Sequence, residues 1–226
     1  MGNSEVGHLN IGAGRIVYQD FAMINKEIRE HRIDKNPVVL EAFRHAKQNN
    51  KDVHFIGLLS DGGVHSHQEH LYKLCEMAGA AGLSSIFIHA FLDGRDTDPK
   101  SGLGFIRQLQ EHLKNSAGKL ASVIGRYYSM DRDKRWERIK KAYDLMVKGE
   151  GKKTNQVLQT IEESYASGIT DEFMEPLVIT DHDNKPIATL KEGDVVICFN
   201  FRTDRCREIT SALTQQDFEG KLFNRI

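Results

Sequence analysis

Three runs of strand length, residues 52–60, 85–92 and 194–201, are apolar almost without a break. A strand that shows one face to water alternates polar and apolar residues. One that is apolar throughout must be covered on both faces. Several such strands in one chain require an α/β domain, with a mostly parallel sheet flanked by helices on both faces. The intervening segments have the helical period that this demands. Residues 66–81, 102–115, 134–147, 154–167 and 202–213 read as helices, and 120–124 and 175–179 as further strands. Ahead of the first strand, 24–31 and 38–47 also read as helical. Pro37 sits at the first position of the second of these, where its missing N–H does no harm.

The net charge of −1, with both signs mixed along the chain, argues against a general nucleic-acid or membrane surface. There is no apolar run of transmembrane length and no signal-peptide pattern. Cys75, Cys198 and Cys206 have neither metal-binding nor redox spacing and read as buried, reduced thiols of a cytoplasmic protein. Both ends read as cut edges of something longer. Gly12-Ala13-Gly14 is like a phosphate-binding turn, but no strand precedes it and the full dinucleotide fingerprint is missing, so a linker into the next domain fits at least as well.

In an open parallel sheet, ligands bind beyond the carboxyl ends of the strands, where loops and helix N-termini converge. Reading only those positions collects Asp61, His65, His67 and His70, then Asp93, Arg95, Asp96 and Asp98. The later strands add Arg126, Asp131 and Arg132, and finally Asn200, Arg202, Asp204 and Arg205. Any one arginine could be a surface ion pair. Five of them after successive strands, on the one edge where such a sheet builds its site, indicate a small, multiply anionic ligand, because guanidinium forks match carboxylate and phosphate oxygens. A phosphorylated carboxylic acid fits. His65-Ser66-His67-Gln68-Glu69-His70 offers metal ligands, but without the i, i+4 helical spacing, so a single histidine contact to an anion is the better reading. At the start of the chain Ser4 is either a helix cap or a nucleophile that needs a neighbouring base or metal.

Five segments in order resemble the cofactor-independent (2,3-bisphosphoglycerate-independent) phosphoglycerate mutase family. They are residues 1–8 (MGNSEVGH), 59–67 (LSDGGVHSH), 93–97 (DGRDT), 125–133 (GRYYSMDRD) and 199–205 (FNFRTDR). The resemblance implies interconversion of 3-phosphoglycerate and 2-phosphoglycerate in glycolysis and gluconeogenesis. It also implies two domains, an alkaline-phosphatase-like one with two metal ions, usually manganese, and a phosphotransferase domain inserted into it. Carried over by motif, Ser4 becomes phosphoserine while coordinated to a metal. His65, Arg95, Asp96, Arg126, Arg132, Arg202 and Arg205 contact substrate, and Asp96 exchanges protons with the glycerate hydroxyls. The family's opening strand and the second half of its phosphatase-like domain are absent from this sequence, so Ser4 is the only metal ligand the motifs supply. One hydroxyl cannot hold manganese. The resemblance therefore implies a remnant of the phosphatase-like domain with a linker over residues 1–17 and the inserted substrate-binding domain over 18–226, inactive alone, that works with a phosphatase-like domain of the same polypeptide. Two readings compete with it: a non-catalytic module for small phosphorylated acids, and a metal hydrolase built on the histidine cluster.

Overall fold

The structure is a computed structural model, and it describes residues 19–215 together with His8, Ile11, Gly12 and Gly14. Ser4 lies outside the described residues. From residue 19 on, the helices α1 (Asp20–Arg29) and α2 (Pro37–Asn49) precede the sheet. Asn36 caps α2 by accepting the N–H groups of Val38 and Val39, with Pro37 at the first helical position as the sequence predicts. Then come β1 (Val53–Leu59), α3 (Gln68–Ala80), β2 (Ile86–Leu92), α4 (Gly102–Leu113), β3 (Gly118–Gly125) and the single turn α5 (Arg126–Ser129). The chain continues through α6 (Trp136–Lys148), β4 (Lys152–Thr154), α7 (Val157–Ala166), β5 (Leu177–Ile179), β6 (Val195–Cys198) and α8 (Arg207–Thr214).

The six strands lie in the order β4-β5-β3-β2-β1-β6. β6, β1, β2 and β3 run parallel, β5 is antiparallel to β3, and β4 is parallel to β5. All seven residues of β1 are buried, which is what its unbroken apolar run requires. Phe55 and Leu59 pack with Phe43 of α2, Leu71 of α3, Phe105 of α4 and Ile161 of α7 on one face. Ile56 and Leu58 pack with Ile139 of α6 and Ile209 of α8 on the other. Each fully buried Leu, Ile or Phe contributes about 1.5–3 kcal/mol, against roughly 0–1 kcal/mol for an exposed ion pair. The two cores, not the many surface charges, hold the sheet.

Several element boundaries differ from the sequence reading, and three of them have a visible cause. The helix expected from residue 154 starts at Val157, because Thr154 is used by β4, which pairs with Ile179. The helix expected from 134 starts at Trp136, since Lys134 has a left-handed backbone (φ 58°). Arg202 and Arg205 lie before α8 in a loop. The carbonyl of His65 accepts the N–H groups of Phe201 (3.0 Å) and Arg202 (3.3 Å), which holds this stretch across the strand tips. Cys75 and Cys206 are buried free thiols as expected, whereas Cys198 is only half-buried.

Gly125 shows how closely the loops behind the sheet edge are packed. A Cβ there would lie 2.3 Å from the carbonyl oxygen of Glu172, 2.6 Å from that of Asp171 and 2.6 Å from the Met174 nitrogen. All three are backbone atoms and cannot swing away. Gly125→Ala is expected to cost about 3 kcal/mol of stability, the upper end for overpacking. An unchanged urea midpoint for that variant would show that the 171–174 turn yields more easily than its contacts indicate.

Candidate functional site

Asp93 organises the carboxyl edge of the sheet. It follows β2 directly and is only 1% exposed. Its Oδ2 accepts the Ser60 hydroxyl (2.7 Å), and its Oδ1 accepts the N–H groups of Arg95 (3.2 Å) and Asp96 (2.9 Å). The same oxygen takes a 2.6 Å hydrogen bond from Nη1 of Arg126. Ser60 follows β1 and Arg126 follows β3, so one carboxylate joins the tips of three adjacent strands. Burial opposes its charge. The Asp96 N–H, the Ser60 hydroxyl and Arg126 outweigh that, and hold the pKa below the ordinary carboxylate value.

Arg126 is 5% exposed and is the second fixed point. Besides Asp93 it donates to Oδ2 of Asp96 (2.6 Å) and, through Nη2, to Nε2 of His65 (2.9 Å). Burial penalises its charge, but the hydrogen bond to Asp96 and the charge of Asp93 more than compensate, and its pKa is raised. Because His65 Nε2 accepts from a guanidinium, the neutral ring carries its proton on Nδ1. Burial, then the positive charge of Arg126, pushes His65 down to about 4.

The other four arginines ring this fixed pair and are more exposed. Arg95 meets Glu172 at 3.5 Å, and Arg132 meets Asp204 at 3.1 Å. Arg202 contacts Asp204 at 3.0 Å, and Arg205 donates to the carbonyl oxygen of Met130 at 3.4 Å. Arg205 locates them as a group. Burial, then the charges of Arg132, Arg126 and Arg95, holds its pKa below the ordinary guanidinium value. Like charges act on one another in this way only when they are close. His65 likewise feels both Arg126 and Arg202. All of the expected residues that are described, His65, Arg95, Asp96, Arg126, Arg132, Arg202 and Arg205, thus belong to one cluster. Each guanidinium carries five donors, and the half-exposed ones use few of them on described residues. Such a cluster can bind an anion with several oxygens.

The three histidines of the 65–70 segment separate. His67 caps α3 by accepting the Glu69 N–H, and Nε2 of His70 donates to Oδ1 of Asn25 (2.8 Å). With Arg126 donating to His65, the cluster is lined by cations and does not fit a metal ion. Among the described residues, the side chains grouped so that they could hold one are Asp52, His54 and Asp194. Sequence reasoning missed that trio. It also gave Asp93 no role, although an aspartate two and three residues ahead of the N–H groups it accepts is an ordinary turn signal.

This geometry can be set beside known proteins. The family model described as the BPG-independent PGAM N-terminus matches residues 24–225. The chain belongs to that family. A 2,3-bisphosphoglycerate-independent phosphoglycerate mutase of Parabacteroides distasonis is 60% identical over 217 residues, covering 96% of this chain and 43% of the relative. One from Flavobacterium psychrophilum is 58% identical over 226 residues, covering 100% and 45%. Among solved structures, Leishmania mexicana phosphoglycerate mutase, crystallised at low cobalt concentration, superposes with a TM-score of 0.82 at 33% identity, over 96% of this chain and 41% of that one. The chain therefore spans less than half the length of the phosphoglycerate mutases it matches. No helix among the described residues is long and apolar enough to cross a membrane.

Proposed function

We propose that residues 18–226 are the substrate-binding portion of a cytoplasmic phosphoglycerate mutase that interconverts 3-phosphoglycerate and 2-phosphoglycerate through a phosphoserine at Ser4. The observation that carries this reading is the collection of arginines at one sheet edge, with Arg126 on Asp93, Asp96 and His65, Arg132 and Arg202 sharing Asp204, and Arg205 on the Met130 carbonyl. A phosphoglycerate brings a carboxylate and a phosphate, and such anions are what bidentate guanidiniums bind best. The half-exposed Arg95, Arg132, Arg202 and Arg205 hold these groups. Buried Arg126 and Asp93 fix the loops that carry them. Asp96 is partly exposed, bonded to Arg126 and 3.6 Å from His65 Nε2, where a carboxylate can take and return a proton of a glycerate hydroxyl.

Phosphoryl transfer needs a phosphorylatable hydroxyl and, in this family, two manganese ions to offset its charge. The described residues at this edge do not fit those ions, so they and most of their ligands belong to a phosphatase-like domain of the longer polypeptide, with residues 1–17 as its remnant and linker. The 226-residue chain alone then binds substrate without turning it over. Titration calorimetry with 3-phosphoglycerate is expected to show binding that Arg205→Ala weakens at least tenfold. A coupled assay of the same chain with manganese is expected to show no mutase activity. Unchanged affinity in Arg205→Ala would sink the assignment of the site, and turnover by the chain alone would refute the missing-domain reading.

A further inference from the structure

Asp52, His54 and Asp194 meet at the amino ends of β1 and β6, the opposite edge of the sheet from the arginine cluster. Asp52 directly precedes β1, His54 is its second residue, and Asp194 directly precedes β6. One ligand atom from each lies within 4.8 Å of the other two. His54 is 0% exposed, and its Nε2 has no hydrogen-bond partner. That nitrogen lies 3.4 Å from Oδ2 of Asp194. That contact does not make a hydrogen bond, so the buried nitrogen is left under-satisfied by the protein and can take an occupant.

We propose that Asp52, His54 and Asp194 bind one divalent transition-metal ion of the zinc class. Two ligands about 2.1 Å from a tetrahedral ion stand about 3.4 Å apart, the separation already present between His54 and Asp194. The surroundings are arranged as they are around bound metals. Asp194 is fixed because its Oδ1 accepts the Asp52 N–H (3.2 Å) and its Oδ2 the Lys191 N–H (2.8 Å). Behind the histidine, His54 Nδ1 is 3.0 Å from His89 Nε2, and His89 Nδ1 is 2.7 Å from Oγ of Ser122. With a metal on Nε2, His54 carries its proton on Nδ1 and donates to His89, which donates in turn to Ser122. Metal-binding histidines characteristically donate their other N–H in this way. One imidazole and two carboxylates suit zinc, cobalt or manganese better than calcium or magnesium, which prefer oxygen alone. Asp52 is half-buried and forms the rim, leaving a fourth position for water. The ion would pin the four-residue edge strand β6 to β1, and β6 leads into the loop of Arg202 and Arg205.

The test is cobalt(II) titration of the chelator-treated 226-residue chain, followed by visible absorption, with zinc calorimetry and thermal melts alongside. One equivalent of tetrahedral-type cobalt absorption and a zinc-dependent rise in Tm are expected. Asp52→Asn, a change at the rim that leaves the backbone contacts of Asp194 intact, should weaken binding at least tenfold, and His54→Gln should abolish the absorption. His182→Asn, an exposed histidine elsewhere, should change neither. Circular dichroism of Asp52→Asn checks that its fold is kept, so the result does not depend on whether His54→Gln folds. Absence of cobalt binding by the unmodified chain, or equal binding by Asp52→Asn, overturns the proposal.

Discussion

Arg126→Met is expected to lower the unfolding free energy by about 3–5 kcal/mol, the range for removing one partner of a buried ion pair. Asp93 would stay buried with its 2.6 Å cationic partner gone, and His65 Nε2 would lose its donor. The comparison that makes this informative is Arg132→Met. Arg132 is half-exposed and meets only Asp204 among the described residues, so its loss should cost no more than about 1 kcal/mol. Adding Asp93→Asn to Arg126→Met should recover part of the loss, because a neutral amide needs no counter-charge in the interior. Urea unfolding of the three variants decides the matter. Equal midpoints for Arg126→Met and Arg132→Met would mean that the Asp93–Arg126 pair does not support the sheet edge.

Acidification from pH 7 to 4.5 is expected to destabilise the chain through its buried histidines. His65 and His70 are each 4% exposed, and burial holds both at about 4, against an ordinary 6.5. A histidine depressed in the folded state favours folding fully above pH 6.5. That contribution is lost as the pH falls toward 4, because the unfolded chain takes up the protons first. Together the two are worth roughly 7 kcal/mol at most. Asp171 works in the opposite direction. Burial raises it to about 6 from 3.8, so the folded state holds its proton more tightly, and stability is gained as the pH falls through that range. That opposing gain is roughly 3 kcal/mol, so these three groups alone leave a net loss of roughly 4 kcal/mol by about pH 4. His54 and His89, also depressed by burial, add to it, and Glu208, raised by burial, offsets part of it. Asp93 and Asp204, held below the ordinary carboxylate value, add their losses only below about pH 4. Melting temperatures across pH 4.5–7 should therefore fall steadily toward acid, and His70→Gln should flatten the slope. A level profile would show that the two rings are hydrated more than their burial indicates.

Much of the architecture was legible because it is written in neighbouring residues. The apolar runs at 53–59 and 86–92 require cover on both faces, and their strands are covered on both. Asn36-Pro37 announced the start of α2. The strand-tip rule picked out the arginines without knowledge of the strand order, because parallel strands deliver all their carboxyl ends to one edge. Boundaries failed where a long-range contact took over a local preference. Thr154 reads in sequence with the helix that follows it but pairs with β5, and the segment around Arg202 is held by the carbonyl of His65, more than 130 positions earlier.

The sequence by itself determined the class of fold, the edge at which the arginine side chains collect and, through its motifs, the family. These depend on period, turn chemistry and residue type, which are properties of short stretches. Only the tertiary structure decided how those side chains divide their work: Asp93 and Arg126 buried as the frame, the remaining arginines half-exposed, and His65, His67 and His70 each given a different partner. It also brought Asp194 to Asp52 and His54, because β6 lies beside β1 at the end of the sheet. Strand order is set by which surfaces bury together once the whole chain has collapsed, and no local pattern of residues records it.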